Sequence, residues 1–126
     1  MLYGPPPPEV QIQDVPKTVY GPPPPDRGMN VVLTNNETGE KISRWIYDEP
    51  LMAGRGASMP LPGDNTVSRQ HMLFVRKGKD LYVEDHSKNG TYVNGERLHH
   101  MQAYHLQRGD SIRVGNTMYI ISWGIF

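Results

Sequence analysis

The chain has no cysteine. Disulfides, thiolate metal sites and a cysteine nucleophile are therefore excluded, although the absence places the protein only weakly in any redox compartment. It also has no net charge, because 13 Lys and Arg balance 13 Asp and Glu. Nucleic-acid affinity leans on clustered positive charge, so a general polyanion binder is not expected. No stretch approaches the roughly 20 consecutive apolar residues of a membrane helix. The start, MLYGPPPPEV, has no basic region followed by an apolar run, so it does not read as a secretory signal. Together these absences predict a soluble, cytoplasmic chain without nucleic-acid or membrane contact. A helical i, i+3, i+4, i+7 pattern of useful length is missing too.

Proline is present in unusual form. YGPPPP stands at residues 3–8 and again at 20–25. Four prolines in a row form neither a helix nor a central strand and favour the extended polyproline II conformation. The intervening EVQIQDVPKTV has too few large apolar residues to build a core. Residues 1–27 are thus expected to be a disordered, semi-stiff tail or linker, and residues 28–126 a single folded domain.

From Met29 the apolar residues come in short alternating runs. NVVLT (30–34) and ISRWIY (42–47) flank a polar turn, and HMLFVRKGKDLYVED (71–85) reads as two strands around KGKD. SIRVGNTMYIISW (111–123) reads as two more, joined by Gly115-Asn116 as a two-residue hairpin turn. Many short strands with frequent turn signals predict an all-β fold, an antiparallel sandwich or barrel. Alternation predicts that Met72 and Phe74 share one face, that Leu81 and Val83 point inward, and that Ile112, Val114, Met118 and Ile120 continue the core face.

Four polar stretches follow one another: GR (54–55), SRQH (68–71), SKNGTYVNG (87–95) and LQRGDSIRVG (106–115). Singly, each has an ordinary explanation. Arg55 is then a solvated charge, Ser68 a turn former, His71 a core histidine bonded to backbone, and Asn89 and Asn94 left-handed turn residues. In this order and spacing they resemble the forkhead-associated (FHA) domain family, over roughly residues 28–126. The resemblance implies a phosphothreonine-recognising antiparallel β-sandwich of about eleven strands.

A phosphothreonine offers about −1.5 to −2 charges and three strong acceptor oxygens, so its reader needs donors converging from several loops. The resemblance makes Arg55 and Ser68 the principal phosphate ligands, the first through a charge-assisted pair and the second through its hydroxyl. Arg69 adds a second cationic donor. Asn89 would bind the peptide main chain, since its amide supplies both a donor and an acceptor. Lys88 stands where the family often carries Thr or Ser, and would reach the phosphate or a later peptide residue. Gly54, Gly90 and Thr91 would shape the loops, and His71 would buttress the loop carrying Ser68. Asn94, before Gly95, reads as a plain type I′ turn. The resemblance also implies preference for phosphothreonine over phosphoserine, and a carboxylate mimic, with less charge and fewer oxygens, should bind poorly.

A catalytic role for His71 would require an acid and an oxyanion site that the sequence does not supply. His99, His100 and His105 match no ordinary metal spacing and read as a solvated loop. No cofactor, metal or enzymatic activity is expected. The expected partner is a phosphothreonine-containing protein in a Ser/Thr protein kinase pathway. Thr18, in the tail, is a candidate phosphorylation site, and its phosphorylated form would dock in the chain's own site or in a second copy. The competing reading is a phosphate-independent scaffold or assembly domain whose proline-rich tail makes the partner contact.

Overall fold

The computed structural model describes residues 28–126. The tail at 1–27, and Thr18 with it, lies outside the described residues. Eleven strands follow: β1 (Met29–Asn35), β2 (Lys41–Ile46), β3 (Leu51–Gly54), β4 (Met59–Pro60), β5 (Met72–Lys77), β6 (Asp80–Asp85), β7 (Thr91–Val93), β8 (Glu96–Arg97), β9 (Tyr104–His105), β10 (Ser111–Val114) and β11 (Thr117–Ile125). They form two sheets, ordered β2-β1-β11-β10-β7-β8 and β4-β3-β5-β6-β9. All pairings between these strands are antiparallel except β3 with β4. The expected sandwich is thus realised.

Period-two alternation builds its core. In β1 the pattern buries Met29, Val31 and Leu33; in β5 it buries Met72 and Phe74, facing Leu81 and Val83 of β6. Each such side chain contributes roughly 1.5–3 kcal/mol on leaving water. The β5–β6 and β10–β11 hairpins fall where the turn signals placed them.

On β11 the structure differs from the expected core face. Met118 is 41% exposed and Ile120 only half-buried, whereas Tyr119, Ile121 and Trp123 fill the core. The two-residue turn pairs Val114 with Thr117 and Ile112 with Tyr119. Directly opposed residues share a face, so the inward parity changes across the turn. Continuing the even-numbered positions from β10 into β11 ignores that change.

The hairpins also sort the two ends of the sandwich. The β10–β11 turn at Gly115 abuts Thr66 and Val67, which belong to the long β4–β5 loop. At the opposite end, β1 begins beside the end of β11, where the Phe126 N–H donates to the Gly28 carbonyl.

Candidate functional site

Three connections converge at the end marked by Thr66: β3–β4, β4–β5 and β6–β7. The Arg55 backbone N–H donates to the Ser68 carbonyl at 3.0 Å, and its Nε donates to the Val67 carbonyl, also at 3.0 Å. These two bonds fix the arginine alongside Ser68 and use its Nε but neither terminal nitrogen. The Ser68 Oγ accepts the Lys88 N–H at 3.0 Å, so the hydroxyl is held by a bond to its lone pair and keeps its own proton to donate. Asn89 spans the same gap, its Nδ2 reaching the Thr66 carbonyl at 3.4 Å, a long bond on an exposed rim. Arg55, Ser68, Lys88 and Asn89 are therefore brought together. Arg69 is exposed and joins Arg55 around a shallow cavity of about 340 Å³. Gly54 permits this approach, for a Cβ there would run into the Arg69 carbonyl.

His71 holds the loops in register. It is fully buried, and its Nδ1 accepts the Ser68 N–H at 3.0 Å. With that nitrogen accepting, the ring proton sits on Nε2, which donates to the Gly90 carbonyl at 3.0 Å. Burial pushes the imidazole below its ordinary 6.5, against smaller opposing effects of the Gly90 carbonyl and Asp85. The neutral ring is the form both bonds need. Its partner on Ser68 is the backbone N–H rather than the hydroxyl, so the pair is not arranged as nucleophile and base.

Asp85 is the residue that sequence reasoning missed. Its Oδ1 accepts the Ser87 N–H at 3.1 Å, the Ser87 hydroxyl at 2.6 Å and the Thr91 hydroxyl at 2.7 Å, and its Oδ2 meets His100 Nδ1 at 3.0 Å. Ser87 Oγ in turn accepts the Gly90 N–H at 2.7 Å. Desolvation alone would raise this carboxyl, but the bonds from Ser87, His100 and Thr91 outweigh it and hold it below 3.8. The network ties down both sides of the Lys88-Asn89 tip. Gly90, at φ of 100°, makes the left-handed bend between them. An acidic residue two before a serine is the local signal, an Asx-type turn, that marks Asp85 in the sequence. Asp64 orders the neighbouring β4–β5 loop in the same way: bonds from Thr66 lower its carboxyl first, and the nearby Arg55 adds to that.

Two of the remaining histidines, His100 and His105, are exposed but engaged. His100 anchors on Asp85, and His105 stacks on Tyr82 with ring centres 4.7 Å apart. The solvated-loop expectation missed both attachments.

A rigid all-β sandwich that gathers arginines, a serine hydroxyl and an asparagine amide from three loops defines a loop-borne binding module. The sequence model of the FHA domain matches residues 52–115, and the chain belongs to that family. Nibrin of Danio rerio is 30% identical over 77 residues, which cover 61% of this chain but only 9% of Nibrin. The FhaA FHA domain, solved in complex with the intracellular domain of Rv3910, is 30% identical with a TM-score of 0.60, over 75% of this chain and 99% of that one. An FHA domain from work on phosphothreonine-dependent interactions is likewise 30% identical, with a TM-score of 0.59 over 75% and 94% of the two chains. The N-terminal FHA domain of S. cerevisiae Rad53p, bound to a phosphothreonine peptide, shares the fold at 21% identity, with a TM-score of 0.61 over 75% and 91%.

Proposed function

We propose that this chain is a cytoplasmic, non-enzymatic reader of phosphothreonine in partner proteins of a Ser/Thr protein kinase pathway. The observation that carries the reading is the pairing of Arg55 with Ser68. One backbone bond and one side-chain bond lock the arginine onto the serine loop, and the Lys88 N–H positions the serine hydroxyl for donation. Arg55 and Ser68 take the phosphate oxygens, and Arg69 and Lys88 add charge at the rim. Asn89 exchanges its long bond to Thr66 for the peptide backbone beside the phosphothreonine. Preformed donors need little reorganisation on binding, which favours affinity. The relative solved with a phosphothreonine peptide and the relative bound to an intracellular domain support the ligand class and the setting.

Calorimetry with a phosphothreonine peptide selected from a library tests the reading. A charge-assisted bond is worth about 1.5–3 kcal/mol, so Arg55→Ala should weaken binding about 10- to 100-fold. The unphosphorylated peptide and its Glu-substituted form should not bind measurably. Unchanged affinity in Arg55→Ala, or a folded chain that binds no phosphothreonine peptide, would overturn it.

A further inference from the structure

Where β11 ends, beside the start of β1, three large aromatic side chains stand in solvent. Trp45 is 47% exposed, Tyr47 56% and Phe126 64%. They form one patch: Trp45 and Tyr47 lie nearly parallel with centres 6.2 Å apart, and Phe126 meets Trp45 edge-on at 5.7 Å. Alternation explains why they face outward. Ile46, between the first two, is buried, and β1 pairs Met29 with both Ile46 and Ile125, so the neighbours on either side turn to the outer face. The floor beneath them is glycine. A Cβ on Gly28 would strike the Tyr47 and Trp45 rings, and one on Gly124 would press against Phe126. A contiguous exposed aromatic patch of this kind marks a contact surface rather than scattered surface apolarity.

The proline segment of the chain joins the fold at this patch, because Gly28, the first described residue, lies directly under the Tyr47 and Trp45 rings. Runs of proline dock on aromatic-lined surfaces, where the preformed polyproline II conformation loses little entropy on binding. We propose that the Trp45-Tyr47-Phe126 patch is an intramolecular docking site for the distal proline repeat, Tyr3–Pro8, of the same chain. The nearer repeat is less suited, since only Asp26 and Arg27 separate Pro25 from Gly28. Two residues leave little chain for reversing direction and laying four prolines, about 12 Å long, over the rings. Residues 9–27 give the distal repeat a lead of about 19 residues, whose root-mean-square span of about 25 Å easily covers the patch. Docking would close that segment, with Thr18 in it, into a loop. The inference is independent of phosphate binding.

NMR of the indole N–H signals in the full chain tests it. Trp45→Phe assigns the two tryptophans. In a variant with Pro5, Pro6, Pro7 and Pro8 all replaced by Ala, the Trp45 signal should move relative to the parent, independently of protein concentration. In a variant with Pro22, Pro23, Pro24 and Pro25 replaced by Ala it should stay in place. An identical Trp45 signal in the parent and the distal variant overturns the docking. A shift produced by the nearer repeat alone, or one that grows with concentration as contact with a second copy would, overturns the assignment of the occupant.

Discussion

His71 commits both ring nitrogens to backbone groups of different loops, which makes its neutral form integral to the fold. Its ionisation is depressed by burial, so the unfolded chain binds its proton more readily than the folded one. The stability it contributes is present above the unfolded value of about 6.5 and is lost as pH falls below it. Asp85, also depressed, loses its contribution only below its ordinary 3.8. The two windows therefore separate. Urea unfolding midpoints should drop between pH 7 and pH 5 in the parent, and that drop should be smaller in His71→Phe. The same variant strands the Ser68 N–H and the Gly90 carbonyl, so at pH 7 it should be about 2–4 kcal/mol less stable. A pH slope unchanged by the substitution would remove His71 as its source. Histidine three residues after Ser68 was legible as a buttress only through the family pattern. The Asp85 network was not read, because its donors, Ser87, Thr91 and His100, are brought around one carboxylate by the fold.

Among the elements, the two Asn-Gly pairs of SKNGTYVNG divide their work. Asn94 and Gly95 have φ of 52° and 86°, the paired left-handed residues of a type I′ turn between β7 and β8. The Asn94 side chain also accepts the Ser111 N–H at 3.0 Å and donates to Asp110 at 3.1 Å, pinning the hairpin to the start of β10. Asn94→Ala should cost about 1–2 kcal/mol in urea unfolding, through both the lost bonds and the strained backbone, while Asn94→Gly should cost less. Neither should change phosphopeptide affinity more than about twofold. Equal losses in both variants would place the whole effect in the side-chain bonds. The hairpin turns were readable because Asn and Gly advertise left-handed backbone. The strands β4 and β9 were not, since two residues each carry no alternation to read. The inward face of β11 was misread because it depends on pairing across the turn rather than on its own pattern.

At the scale of the whole molecule, the sandwich separates two surfaces. Strand β11 runs from the turn beside Thr66 to the aromatic patch, a length of roughly 30 Å for nine residues. The polar end collects donors, and the other end collects exposed rings beneath which the tail joins the domain. The balance of 13 basic and 13 acidic residues leaves little long-range field, so the proposed recognition would rest on the local placement of Arg55, Arg69 and Lys88. Alternation and turn chemistry made the all-β class legible. Choosing the sandwich and its binding loops required the order of the four motifs, because residues 55, 68 and 89 meet only after the chain has folded. The most direct measurement is an amide NMR titration of the chain with a phosphothreonine peptide, beside Arg55→Ala. Saturable shifts centred on Arg55, Ser68, Arg69, Lys88 and Asn89, sparing Trp45 and Phe126 and largely lost in the variant, are expected. Shifts centred on the aromatic end, or a full set retained without Arg55, would contradict the account.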